Sequence, residues 1–87
     1  LIQKASANGQ TEQSNGSVGK ATINAGTYEI TIETEFVTKD SLIYVTPTSN
    51  TGDLVPYIAR LNPSESFTVA IGNIYNEDIS FNWWIIN

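Results

Sequence analysis

The sequence contains no cysteine, no histidine and no methionine. Without cysteine there is no disulfide, and without cysteine and histidine the commonest sulfur and nitrogen ligands of structural metals are missing. A serine or threonine nucleophile needs an activating base, and histidine is the usual one. We therefore expect no cofactor, no metal site, no catalytic residue and no enzymatic activity of this chain on its own.

Positive charge is also scarce: four Lys and Arg stand against nine Asp and Glu, and the net charge is −5. The four cations are Lys4, Lys20, Lys39 and Arg60, spread along the chain. Scattered cations do not form the basic stripe that follows a phosphate backbone. No apolar run approaches the roughly 20 residues that span a bilayer. We expect neither a nucleic-acid partner nor membrane insertion.

A chain of 87 residues suits one domain, which buries only about 60% of the surface that its unfolded form exposes. A scaffold of this size without a disulfide or metal commonly depends on a partner subunit. Because the chain starts with Leu and lacks Met, we expect it to be the C-terminal portion of a longer protein. Its many Ser, Thr, Asn and Gly and few Lys favour an extracellular setting, on a cell surface or a virion.

The first part of the chain, residues 1–19, differs in character from the rest. It shows no apolar periodicity and consists mostly of small or polar residues. Such a composition is typical of a linker, or of an arm that becomes ordered only against a partner. We therefore predict a linker or N-terminal arm over 1–19 and a folded domain over 20–87.

From residue 20 onward, short alternating runs are separated by turn residues. In "TYEITIET", polar and apolar residues alternate, which predicts a strand whose solvated face carries Glu29 and Glu33. We interpret these two carboxylates as part of a soluble exterior and not as a catalytic pair. The turn at Gly26 predicts a hairpin between this strand and the preceding one, with Gly26 at positive φ.

Proline marks the limits of the next strands. The strand "SLIYVTPT" is predicted to end near Pro47, which cannot donate a backbone hydrogen bond. Pro56 within "LVPYIARL" places that strand at a sheet edge or a bulge. With "SFTVAI" and the final stretch, and with no helical period, the pattern predicts an all-β fold, an antiparallel β-sandwich of about six or seven strands.

The final stretch, "ISFNWWIIN", is apolar on both faces of a strand. Alternation places Phe81, Trp83 and Ile85 on one face and Asn82, Trp84 and Ile86 on the other. We expect the first set in the core with Tyr28, Ile30, Phe67 and Val69. We expect the second set to form an interface between copies of the chain. Two alternatives for Trp84 remain open: cover by a loop or the N-terminal arm, or a platform on which sugar rings stack.

Four stretches carry a resemblance to a known group of domains. "GKATINAG…YEITIETEF", "LIYVTPT", "SFTVAI" and the terminal "FNWWIIN" resemble the C-terminal β-sandwich domains at the tips of bacteriophage tail fibres and in H-type lectins. The resemblance implies a trimer around a threefold axis, with contacts to a cell-surface glycan or protein receptor at the tip or between subunits. No lectin sugar-binding cluster carries over, because the chain has one arginine and no histidine.

Three functional hypotheses follow. The leading one is a non-catalytic C-terminal cap of an extracellular fibre or surface protein, which trimerises through the last strand and binds a receptor. The second is a carbohydrate-binding module in which Tyr57, Arg60 and Trp84 contact glycan rings. The third is a filament subunit in which residues 1–19 donate a strand to the next copy.

Overall fold

A computed structural model of the chain describes residues 11–13 and 16–87. These residues form seven strands: β1 (Thr11–Gln13), β2 (Val18–Ile23), β3 (Glu29–Glu33), β4 (Leu42–Pro47), β5 (Tyr57–Asn62), β6 (Ser66–Ala70) and β7 (Ile79–Ile86). One sheet has the order β1-β3-β6-β5 and the other β2-β7-β4. All neighbours are antiparallel except β1 and β3, which run parallel. The predicted all-β sandwich of six or seven strands is confirmed.

The hydrophobic core lies between the two sheets and follows the period-two alternation of the strands. On β7, every second residue is buried, and Phe81, Trp83 and Ile85 belong to this set. Ile30 of β3 and Phe67 and Val69 of β6 are buried as well; Tyr28 is partly buried against the same cluster. The Trp83 indole meets Phe67 edge-to-face, with ring centroids 5.2 Å apart. The predicted core is thus confirmed.

A glycine in β2 makes room for the largest core side chain. Gly19 lies directly opposite Trp83 in the β2–β7 register. A Cβ at residue 19 would lie 2.7 Å from Cζ2 of the indole. Since carbon atoms pack best at about 3.5–4.0 Å, only glycine lets β2 pass over the buried ring.

The predicted hairpin around Gly26 is wrong, although Gly26 does adopt a positive φ of 84°. β2 pairs with β7, whereas β3 pairs with β1 and β6 in the other sheet. The turn therefore carries the chain from one sheet to the other. A turn signal reports that the chain reverses, but not which strand becomes the hydrogen-bonding neighbour.

The strand that follows Pro56 lies at a sheet edge, as predicted. Pro56 immediately precedes β5, which is the edge strand beside β6. The ladder has an irregularity between Ile58 and Arg60, where β5 gains one residue relative to β6. Strict alternation would put Tyr57 and Arg60 on opposite faces. The extra residue at the bulge shifts the alternation by one position. As a result, Ile58 and Leu61 both pack against the core, and Tyr57 and Arg60 both face outward.

The predicted linker over 1–19 falls partly outside the described residues, which exclude 1–10 and 14–15. Within it, Thr11–Gln13 forms β1 against β3 of the same chain, and β2 begins at Val18. A polar composition did not reveal β1, because backbone hydrogen bonds can hold an edge strand without apolar side chains, whereas β2 begins two residues before the predicted start of the domain. Donation of a strand from residues 1–19 to another copy stays a prediction. No helix among the described residues is long and apolar enough to cross a membrane.

Candidate functional site

The outward side of the β2-β7-β4 sheet carries a continuous group of large apolar side chains. Trp84 of β7 lies in register with Val18 on one side and Tyr44 on the other. Ile86 lies in register with Leu42. We call these five residues, Val18, Leu42, Tyr44, Trp84 and Ile86, the aromatic face. Their inward-pointing neighbours on the same strands fill the core, so the central strand is apolar on both sides.

The two rings of the aromatic face are stacked. The Tyr44 and Trp84 centroids are 5.5 Å apart and the ring planes differ by 9°. Such a pair contributes about 0.5–1.5 kcal/mol beyond its buried area. The stack partly covers Trp84, yet Tyr44 remains 44% exposed, Val18 66% and Leu42 55%. The chain therefore presents a preformed apolar surface to its surroundings.

The same sheet side becomes polar beyond these residues. The next cross-strand row contains Lys20, Asn82 and Thr46, and the row after it joins Thr22 to Ser80, whose hydroxyls are 3.3 Å apart. Lys20 is the only charged residue that these three strands present outward. The aromatic face thus has a polar border on one side and no acidic side chain on its strands.

The outward side of the other sheet is polar, apart from Tyr57 at its end, and its polar groups largely contact one another. The Arg60 guanidinium donates a hydrogen bond to the Glu29 carboxylate at 2.8 Å, reaching across β6. The Thr31 and Thr68 hydroxyls lie 2.9 Å apart. Although it points outward, Thr68 is buried, because side chains from the flanking strands cover it. The two sides of the sandwich therefore differ sharply in character.

These positions separate the residues predicted as sites into two groups. Asn82, Trp84 and Ile86 share the outward side of β7, and their role in an interface stays a prediction. Tyr57 and Arg60 lie on the outward side of the opposite sheet. The structure does not bring them together with Trp84, so no single glycan platform of these three residues exists.

Sequence reasoning missed three members of the aromatic face: Val18, Leu42 and Tyr44. Leu42 and Tyr44 lie in a stretch that was predicted as a strand, and Val18 lies just before another predicted strand. Only the pairing of β2 and β4 with β7 places them beside Trp84 and Ile86. Alternation within "SLIYVTPT" does put Leu42 and Tyr44 on one side of their strand, which was the available signal.

The described residues offer little to a metal or a buried ligand. They contain no group of three or more His, Cys, Asp or Glu side chains placed to hold a metal ion. None of their buried side-chain nitrogen or oxygen atoms lacks a hydrogen-bond partner.

A family model described as "K1 capsule-specific polysaccharide lyase, C-terminal domain" matches residues 15–86. The chain belongs to this family. No curated protein and no solved structure matches the sequence of this chain. The match agrees with the expectation of a C-terminal domain and gives no support to a relation with H-type lectins.

The range that the family model matches contains six of the seven strands that the structure describes. The matched range 15–86 contains β2 to β7 in full and ends on the last residue of β7, whereas β1 precedes it. All five residues of the aromatic face lie within this range. The aromatic face therefore lies within the part of the chain that the family model matches.

Proposed function

We propose that this domain is a non-catalytic C-terminal cap that joins three copies of its chain through the aromatic face and contacts a receptor with its remaining surface. The cap would end an extracellular fibre or spike, such as that of a bacteriophage. The observation that carries the proposal is the exposed aromatic face on a chain whose opposite sheet side is polar. Membership in a family of lyase C-terminal domains supports the terminal position.

The energetics of the aromatic face favour a covered state. Fully burying a Val, Leu or Ile side chain is worth about 1.5–3 kcal/mol, so each half-exposed member contributes about 1 kcal/mol when it is covered. The four exposed members, Val18, Leu42, Tyr44 and Ile86, together then supply on the order of 4 kcal/mol per chain. Part of this gain offsets the entropy that the chains lose when they associate. An interface centred on a stacked Trp and Tyr also fits the aromatic enrichment of interface hot spots.

The distribution of charge permits a second copy as the occupant. A chain of net charge −5 repels its own copies. The strands of the aromatic face nevertheless carry no outward acid and only one cation, Lys20. The strands of the contact therefore carry no acid themselves, and the polar row beside it can form the rim. Three copies, in particular, is what the resemblance to tail-fibre tips implies.

A non-catalytic role is supported by the state of Glu29. Glu29, the partly buried member of the Glu29–Glu33 pair, is engaged by Arg60 at 2.8 Å. A general acid or base must be able to reach a substrate proton. In our proposal the lyase chemistry named by the family therefore belongs to another part of such proteins, and this domain supplies assembly and attachment.

A pair of matched tyrosine substitutions tests the assembly role. Tyr44 lies in the aromatic face and is 44% exposed, while Tyr57 lies on the opposite sheet and is 52% exposed. We expect Tyr44→Glu to convert the trimer to folded monomer, because it buries an unpaired charge in the contact. We expect Tyr57→Glu to leave the trimer intact. Light scattering gives the molar mass and circular dichroism verifies the fold; a Tyr44→Glu trimer would refute the proposal.

A further inference from the structure

A second group of exposed apolar residues lies away from the aromatic face. Tyr57 and Ile74 are 52% and 59% exposed, and they line a shallow pocket with Tyr28, Ile71, Gly72 and Asn73. Tyr28 directly precedes β3, Tyr57 begins β5, and residues 71–74 follow β6. The pocket therefore lies at one end of the β1-β3-β6-β5 sheet. We call it the tyrosine pocket.

The loop that forms one wall of the tyrosine pocket is held in place from two sides. The Ile71 amide donates to the Tyr28 carbonyl at 2.9 Å, and the Gly26 amide donates to the Tyr75 carbonyl at 2.9 Å. The Tyr75 ring packs on Gly52, where an added Cβ would lie 2.4 Å from it. The walls are thus preformed, which lowers the entropy cost of binding.

The chemistry of the lining defines the ligand. Two phenol rings provide apolar surfaces with hydroxyls at their edges, and Asn73 provides one amide donor group and one acceptor. No charged side chain lines the pocket. The single arginine, Arg60, is paired with Glu29. An anionic ligand would meet no cation among the residues that line the pocket, on a chain of net charge −5.

The size of the pocket favours a small ligand unit over a protein surface. A stable protein interface involves roughly 20–30 residues on each side, whereas six residues line this pocket. A Cβ added at Gly72 would meet nothing within 4 Å, so the backbone there is open to close approach. A ring with an apolar face and a polar edge matches both the size and the lining.

From this geometry we propose that the tyrosine pocket binds an uncharged pyranose ring of a surface glycan. The Tyr57 ring stacks on the apolar face of the sugar, and the Asn73 amide forms hydrogen bonds with its hydroxyls. The inference deepens the proposed receptor contact and rests on it. Because the pocket belongs to the sheet opposite the aromatic face, it stays open when copies assemble. Three pockets per assembly then raise the apparent affinity of a weak single site.

The test uses the 87-residue chain on an array of neutral and acidic oligosaccharides. We expect retention on neutral glycans, a loss of at least about tenfold in Tyr57→Ala, and near-complete retention in Tyr57→Phe, which keeps the ring. Asn73→Ala should also weaken binding. The matched control is Phe36→Ala, which removes another exposed aromatic ring, in the loop beyond the far end of β3, and should leave binding unchanged.

The outcomes distinguish this inference from the assembly role. A trimer that binds no neutral glycan, prefers acidic glycans, or binds equally well after Tyr57→Ala would overturn the tyrosine pocket and leave the assembly role standing. A monomeric chain with Tyr57-dependent binding to a neutral glycan would support the pocket and refute the assembly role. Molar mass measured on the same samples separates the two cases.

Discussion

Replacing Gly19 with alanine tests how closely β2 packs against the buried Trp83 indole. The added Cβ would lie 2.7 Å from Cζ2, 2.8 Å from Cε2 and 3.0 Å from Nε1 of Trp83. The indole is 2% exposed and is held on its other side by Phe67, so it has little room to retreat. β2 must therefore move away from β7, or the indole must leave its preferred rotamer.

The cost can be worked out from these contacts. Overpacking of a core typically costs about 1–3 kcal/mol. Alanine recovers about 0.5–1 kcal/mol of that, because glycine is the more flexible residue in the unfolded chain. We expect Gly19→Ala to lose about 1–2 kcal/mol, which lowers the melting temperature of a domain this size by about 5–15 °C. Chemical and thermal unfolding at fixed protein concentration measure the change.

The chain supplies a matched control in Gly72, where an added Cβ meets nothing within 4 Å. Gly72→Ala should be neutral or stabilise the fold by up to about 1 kcal/mol. A second control is the smaller ring of Trp83→Phe, in whose background Gly19→Ala should cost less. If Gly19→Ala is as stable as Gly72→Ala, or costs the same in both backgrounds, the packing argument is wrong.

Two further predictions concern the turn after β5 and the outward side of its sheet. Ser64 has a φ of 64°, so Ser64→Gly should stabilise the fold by about 0.5 kcal/mol in urea unfolding, because glycine adopts this conformation without steric cost; a loss of stability would show that the turn is not strained. The Arg60–Glu29 ion pair is half-exposed at Arg60, so Arg60→Gln and Glu29→Gln should each lower the free energy of unfolding by about 0.2–1 kcal/mol. The double variant should lose less than the sum of the two single losses, and each loss should be smaller in 1 M NaCl. Full additivity of the two changes would mean that the ion pair contributes nothing.

Local alternation was sufficient to predict the fold class and the core. The burial of Ile30, Phe67, Phe81 and Trp83 depends only on the period of two along a strand that faces an interior. The edge position of β5 followed from a single backbone property of Pro56. Such features can be read from a few adjacent residues, and the structure confirms them.

Strand pairing could not be predicted in the same way. Val18 and Tyr44 reach Trp84 only because β2 and β4 flank β7, and no local pattern encodes which distant strands become neighbours. The bulge in β5 could not be predicted either: one extra residue turns Arg60 to the same face of the sheet as Tyr57. The predicted glycan platform failed for this reason: the residue types were suitable, but the two sheets place them on opposite sides.

The most direct test of the aromatic face is the molar mass of the unmodified chain in solution, by sedimentation equilibrium over a wide range of concentrations. We expect three times the mass of one chain, and dissociation only on extensive dilution. A mass equal to a single chain at high concentration would mean that Trp84 and its neighbours remain open to solvent, and self-association through this face would be ruled out.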